Sequence, residues 1–178
     1  TIQNGGSGAS YTFSGAVSGA GSWAMAQNVR FNNMLTGSLK DFRGAMSTNE
    51  TSASAVRQAW NFGNGGAGVT GAGNTLFGDG AVLAGNTGSS NAALAAQYNV
   101  NYNNAELVLN ALVQGNSNLT HAGTGTLILD QANTAAGALG ITNAGAVVQL
   151  GTAAKAGQWA GAVLNGAGTL KIVNGTLT

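Results

Sequence analysis

Residues 118–149 read Asn-Leu-Thr-His-Ala-Gly-Thr-Gly-Thr-Leu-Ile-Leu-Asp-Gln-Ala-Asn-Thr-Ala-Ala-Gly-Ala-Leu-Gly-Ile-Thr-Asn-Ala-Gly-Ala-Val-Val-Gln. Three apolar runs stand out, Leu127 to Leu129, Leu139 to Ile141 and Val147 to Val148, each bounded by glycine and asparagine. Each run is too short for a helix that could bury a face, and successive runs recur at roughly ten residues, the rhythm of many short strands. Outward from this stretch the pattern continues. Leu94, Ala96, Tyr98, Val100 and Tyr102 alternate on one face. From Glu106 to Val113 the chain is apolar on both faces, with Leu107, Leu109, Ala111 and Val113 on one side and Val108 and Leu112 on the other. A single strand of that kind is expected to be covered on both sides.

Toward the N-terminus, Tyr11, Phe13 and Val17 alternate, followed by Val29 and Phe31, and residues 34–47 place Met34, Leu35, Leu39, Phe42 and Met46 between Gly37 and Gly44. Thr51 to Phe62 admits two readings. Ala53, Val56 and Trp60 are spaced for a helix face, whereas Val56, Gln58, Trp60 and Phe62 alternate as a strand. The run Gly63-Asn64-Gly65-Gly66 that follows favours the strand. The tail repeats the style through Trp159, Val163, Leu170, Ile172 and Leu177, and Asn-Gly pairs at 4–5, 64–65, 165–166 and 174–175 mark turns in which both residues tolerate positive φ.

Composition narrows the class. The 178 residues include 30 Gly, no Pro and no Cys; charged residues are 6% and hydrophobic residues 44%. The apolar residues are spread in alternating runs, which argues against a disordered chain, and the length suffices for one domain with a core. A net charge of +1, with Arg30, Lys40, Arg43, Arg57, Lys155 and Lys171 scattered, is too weak to grip nucleic acid or an anionic bilayer. No segment approaches the ~18 apolar residues of a membrane helix. The chain opens on Thr1 and shows no signal peptide, as expected of a processed product or an excised piece.

A loose repeat is present, with copies near 15–31, 67–77, 111–120 and 161–178; its anchoring valines 17, 69, 113 and 163 are 52, 44 and 50 residues apart by subtraction. A period near 48 accommodates two coils of ~24 residues in a solenoid, where insertions bulge from corners while strands stay stacked. The expected fold is therefore all-β, a parallel β-helix (β-solenoid) over residues 1–178, with a β-sandwich as the alternative and a transmembrane barrel less suited to so few aromatics. The absence of proline fits strands that donate along their whole length. About seven coils would make a rod of ~35 Å.

The best-matching repeat, 118–150, carries a resemblance. Leu119-Thr120-His121-Ala122-Gly123-Thr124-Gly125-Thr126-Leu127-Ile128-Leu129-Asp130-Gln131-Ala132-Asn133-Thr134, then Gly137-Ala138-Leu139-Gly140-Ile141-Thr142-Asn143-Ala144-Gly145-Ala146-Val147, resembles the passenger-associated transport repeat of bacterial autotransporters. His121 stands where lysine is usual, and the tyrosine usual after Thr134 is missing. The resemblance implies a right-handed parallel β-helix forming part of a surface-exposed stalk at the bacterial cell surface, exported through a C-terminal barrel that does not lie within these residues.

Candidate chemistry is sparse. Gly63-x-Gly65-x-x-Gly68 matches a dinucleotide fingerprint, but no helix pattern follows it and no acidic residue sits ~20 residues on. Gly78-Asp79-Gly80 reads as a turn before it reads as a calcium repeat. His121 is the single histidine, so neither a zinc pair nor a relay is available, and it is expected at a corner or pointing outward between coils. Asp41, Glu50, Asp79, Glu106 and Asp130 are far apart in sequence, though two of them could meet as a glycosidase pair. Thr124-x-Thr126 and Thr176-x-Thr178 would make an ice-binding row only if repeated on nearly every coil. Trp23, Trp60, Trp159, Tyr98 and Tyr102 are expected to pack inside or cap a coil in preference to forming a carbohydrate-stacking patch. The expectation is a non-enzymatic structural or adhesive segment with no catalytic, cofactor or metal residues. Its partners would be neighbouring solenoid segments, other copies, surface glycans or cell receptors. The alternatives are a fibre subunit assembling head to tail and, third, a polysaccharide-active enzyme.

Overall fold

Short apolar runs separated by glycine have too few residues for a stable helix, but their backbone groups must still be paired. In the computed structural model, which describes residues 10–26, 32–52, 58–63, 75–103 and 106–178, they pair with their own successors one coil later. The first sheet stacks seven rungs in chain order: β1 (Ser10–Phe13), β4 (Asn32–Leu35), β7 (Ala59–Phe62), β9 (Ala96–Val100), β12 (Ser117–His121), β15 (Leu139–Ile141) and β18 (Val163–Asn165). A second contains β10 (Glu106–Val108), β13 (Thr126–Leu129), β16 (Val147–Leu150) and β19 (Thr169–Ile172). A third contains β3 (Trp23–Ala24), β6 (Ala45–Ser47), β8 (Ala81–Leu83), β11 (Ala111–Gly115) and β14 (Thr134–Ala135). The pairs β2 (Ser18–Gly19) with β5 (Asp41–Phe42), and β17 (Gly157–Trp159) with β20 (Gly175–Leu177), complete the coils.

Every strand pair among the described residues is parallel. The fold is thus a parallel β-solenoid of about six turns, and the sandwich, built from antiparallel pairs, does not form. At ~4.8 Å per rung, six turns span ~29 Å. The only helical piece among the described residues is the 3-10 turn Ala92–Leu94, capped by Asn91, whose Oδ1 accepts from Ala93 N at 2.9 Å.

Register fixes which side chains face in. One inward column of the first sheet carries Tyr11, Trp60, Tyr98, Leu119, Leu139 and Val163; the next carries Phe13, Leu35, Phe62, Val100, His121, Ile141 and Asn165. Paired residue numbers put successive rungs 22 (Ser10, Asn32), 27 (Asn32, Ala59), 38 (Ala59, Gln97), 21 (Gln97, Asn118), 20 (Leu119, Leu139) and 24 (Leu139, Val163) residues apart. The N-terminal half of the core is filled by rings: Trp23 meets Phe13 and Trp60 edge-on, and Phe62 lies between Phe77 and Tyr98. The coils from Leu119 onward are filled by aliphatic side chains, Leu119, Leu127, Leu139, Ile141 and Val148, all with no exposed area, together with Trp159.

Several sequence expectations are corrected here. Glu106 to Val113 is not one strand: β10 ends at Val108, and the chain turns at Asn110, whose φ of 48° is left-handed, before β11. Leu107, Leu109, Ala111 and Val113 all remain buried because the alternation carries around the bend, and Val108 and Leu112 stay half-buried outside. The valine frame does not mark one rung. Val113 pairs with Leu83 in the third sheet and Val163 with Leu139 in the first, while Val69 lies outside the described residues. Coil lengths that vary from 20 to 38 residues keep a fixed period of that kind from tracking one sheet. Asn165-Gly166 and Asn174-Gly175 sit at corners without positive φ, since a solenoid corner bends the chain where a hairpin would reverse it; positive φ falls instead at Gly19, Gly63, Gly80, Gly115, Gly151 and Asn110. Of the Thr51–Phe62 stretch, Ala59–Phe62 is strand and residues 53–57 lie outside the described residues, as do the other two Asn-Gly pairs.

Candidate functional site

Eleven charged residues occur in the sequence; leaving aside Arg30 and Arg57, which lie outside the described residues, nine remain, and six of them gather along one corner of the rod. These are Lys40, Asp41, Arg43, Asp79, Asp130 and Lys155. The basic residues that look scattered in sequence, and two acids 51 positions apart by number (Asp79, Asp130), meet because coils stack.

Two adjoining cavities define this seam. One, of about 450 Å³, is lined by Asp79, Asn110, Gln131 and Lys155 over a floor of Ala81, Val82 and Leu112; the other, of about 260 Å³, is lined by Lys40, Asp41, Arg43, Phe77, Asp79 and Asn110. Asp79 and Asn110 belong to both. The wall between second and third sheets is a chain of side-chain bonds. Asn110 Nδ2 donates to Asp79 Oδ1 at 2.8 Å, Gln131 Nε2 to Asn110 Oδ1 and to Asp130 Oδ1 at 3.3 Å each, and Lys155 Nζ to Asp130 Oδ2 at 3.1 Å. Asp130 is buried while Lys155 reaches it from solvent. At the other end, Lys40 pairs with its neighbour Asp41. The left-handed backbone at Asn110 aims its amide along the stack, which few other residues allow.

Elsewhere, too, polar side chains bond from coil to coil. Asn99 Nδ2 donates to Asn61 Oδ1 at 2.8 Å; Asn133 Oδ1 accepts from Val113 N at 2.8 Å, Asn118 Oδ1 from Ala138 N at 2.7 Å and Asn103 Oδ1 from Thr124 N at 2.9 Å. Asn86 fills a gap in the backbone ladder of the longest coil, accepting from Glu50 N at 2.7 Å and donating to Glu50 O at 2.7 Å. Glu50 is itself buried and accepts from Gln58 N at 3.0 Å.

His121 is not at a corner or outward. It ends β12 fully buried, stacked between Val100 and Ile141, with Nδ1 3.2 Å from Val100 O and Nε2 2.9 Å from Gly125 O. Parity from Leu119, two residues earlier, is the signal that would have turned it inward. The aromatics do pack inside: Trp60, Trp159 and Tyr98 have no exposed area, Tyr102 is buried and Trp23 half-buried. Burial pushes the Tyr98 hydroxyl far above its ordinary titration range; it lies 2.7 Å from Met46 O and 2.6 Å from Ala84 O. The threonine row does not continue, because the column through Thr126 runs Glu106, Thr126, Val147, Thr169. Gly78-Asp79-Gly80 is a turn; Gly65 and Gly68 lie outside the described residues. Among the described residues no three His, Asp or Glu side chains lie close enough to share a metal ion. Of the five acids, the structure joins Asp79 and Asp130 through Asn110 and Gln131, and does not bring Glu50 or the exposed Glu106 to them.

The chain matches no protein-family model, no curated protein and no solved structure.

Proposed function

We propose that the chain is a non-enzymatic structural and adhesive segment of an extracellular bacterial surface protein, a rod of the autotransporter-passenger kind. The observation that carries the scaffold reading is the direction of its polar bonds. Asn61, Asn99, Asn110, Asn118, Asn133, Gln131 and Asp130 each make a hydrogen bond between coils, along the rod, where it adds to the backbone ladders. A catalytic constellation directs such groups at a shared space. The repeat at 118–150 supports the surface location.

What supports adhesion is the seam. Outside it the exposed charges among the described residues are Glu106 and Lys171, whereas the seam concentrates three basic and three acidic side chains beside cavities with an apolar floor, a combination suited to a hydroxyl-rich ligand such as a surface glycan or to a polar receptor patch. The test is adhesion of beads coated with the purified chain to glycan arrays and bacterial cells. Lys40→Ala, Arg43→Ala and Asp79→Ala combined are expected to abolish adhesion with the circular dichroism spectrum unchanged. Equal adhesion by this variant removes the seam from the reading. Turnover of a polysaccharide that Asp79→Asn or Asp130→Asn eliminates would replace the non-enzymatic reading with the hydrolase one.

A further inference from the structure

Arg43 is the cation of the seam left without a carboxylate. The seam's ion pairs are Lys40 with Asp41 and Lys155 with Asp130, and among the described residues, which include all five acids of the sequence, none pairs with Arg43. Its side chain is exposed but not loose. A Cβ on Gly78 would meet Arg43 Cγ at 2.8 Å and Nε at 3.2 Å, so the stem lies along the bare backbone of Gly78. That backbone is itself held, Gly78 N donating to Phe42 O at 3.0 Å, and Arg43 N donates to Gly19 O at 2.8 Å. The guanidinium therefore stands at the wall of the 260 Å³ cavity with part of its rotamer freedom already given up. Asp79 lines the same cavity, exposed, and Asn110 engages only its Oδ1, which leaves Oδ2 to accept from a ligand hydroxyl. The groove then continues over Val82 and Leu112, half-buried and paired in register on the outer side of the third sheet, beside Gln131 and Lys155. Arg43, Asp79, Asn110, Gln131 and Lys155 belong to successive coils, so it runs along the rod for four rung spacings, ~19 Å.

We propose that the seam takes a linear acidic polysaccharide, one uronate carboxylate resting on Arg43 and the neighbouring sugars laid along the groove. The inference rests on the adhesive reading of the seam and narrows its ligand. A guanidinium presents parallel N–H donors that match the two oxygens of a carboxylate, and it keeps its charge at any physiological pH. Asp79 beside it repels a densely anionic ligand and favours hydroxyl donors, while Val82 and Leu112 suit the C–H face of a sugar ring. An extended acidic peptide fits less well. Such a peptide gains its main-chain bonds at an unpaired strand edge, and β8 and β11, which floor the groove, already have strand partners on both sides. A sugar chain needs no edge, because its hydroxyls bond to side chains.

The test is titration calorimetry of the chain with an unbranched galacturonic acid tetrasaccharide and with its methyl ester, which keeps the rings and removes the charge. The acid is expected to bind about 10-fold tighter than the ester, and added salt should narrow that gap. Arg43→Gln should bring the acid down to the level of the ester and leave the ester unchanged, with circular dichroism as the check on folding. Arg43→Lys keeps the charge without the fork and should recover only part of the loss. Equal binding of acid and ester by the parent chain, or an acid preference that survives Arg43→Gln, overturns the carboxylate assignment while adhesion to neutral glycans stands. A glutamate oligopeptide or a sulfated chain free of uronate that binds as tightly as the tetrasaccharide also overturns it. Equally tight binding of a neutral chain ending in one acidic sugar overturns the placement along the groove. Failure to bind any glycan, acidic or neutral, removes the adhesive reading and this inference with it.

Discussion

His121 carries the one imidazole of the chain, yet both carbonyls it faces have backbone donors already: Val100 O accepts from Ala122 N at 2.9 Å and Gly125 O from Val147 N at 3.1 Å. Removing the ring leaves neither orphaned. Its column neighbours are Val100 and Ile141, so an aliphatic side chain suits the site. His121→Leu is expected to change unfolding free energy by less than about 1 kcal/mol, measured by urea denaturation, and to leave adhesion unaffected. Tyr98 behaves differently. Its hydroxyl cannot ionise inside the core, whereas in the unfolded chain it ionises near pH ~10. A folded-state value raised above the unfolded one contributes stability below that pH and loses it as pH rises further. Tyr98→Phe should therefore cost about 1 kcal/mol at neutral pH, and the gap to the parent chain should close as denaturation is repeated at rising pH above ~10.

At the scale of elements, the corners set how closely coils approach. A Cβ on Gly161 would meet Gly137 O, and a Cβ on Gly137 would meet Ser117 O, so three successive coils touch backbone to backbone at this corner. Gly161→Ala forces the last coil away from its neighbour and is expected to cost ~2–4 kcal/mol, with amide exchange in residues 163–178 accelerating before that of the coils below. Strand identity was legible from sequence wherever alternation was bounded by glycine, as at Leu127, Leu139 and Val147. Where two strands share a continuous alternation, as across Asn110, the bend was hidden, because inward residues on both sides of a corner keep the same parity. The seam was hidden for a related reason. Its partners are separated by 31, 21 and 25 residues (Asp79 to Asn110, Asn110 to Gln131, Asp130 to Lys155), and only coil lengths that vary from 20 to 38 convert those spacings into contact. The glycine fingerprint and the single histidine drew attention to residues that either fall outside the described segments or pack as core.

For the whole molecule, the unequal coils have a mechanical consequence. Each rung's hydrogen bonds run along the rod, and each coil rests only on those beside it, so tension applied to the two chain ends strips coils away one at a time from the outside. Every coil freed lengthens the tether by its own contour, at ~3.4 Å per residue: ~70–90 Å for the coils of 20 to 27 residues and ~130 Å for the 38-residue coil between β7 and β9. An optical-trap record should show a staircase of near-equal steps with one outsized step near the middle, and a single all-or-none rupture would contradict it. The 38-residue coil would then be readable as a mark of position along a force trace.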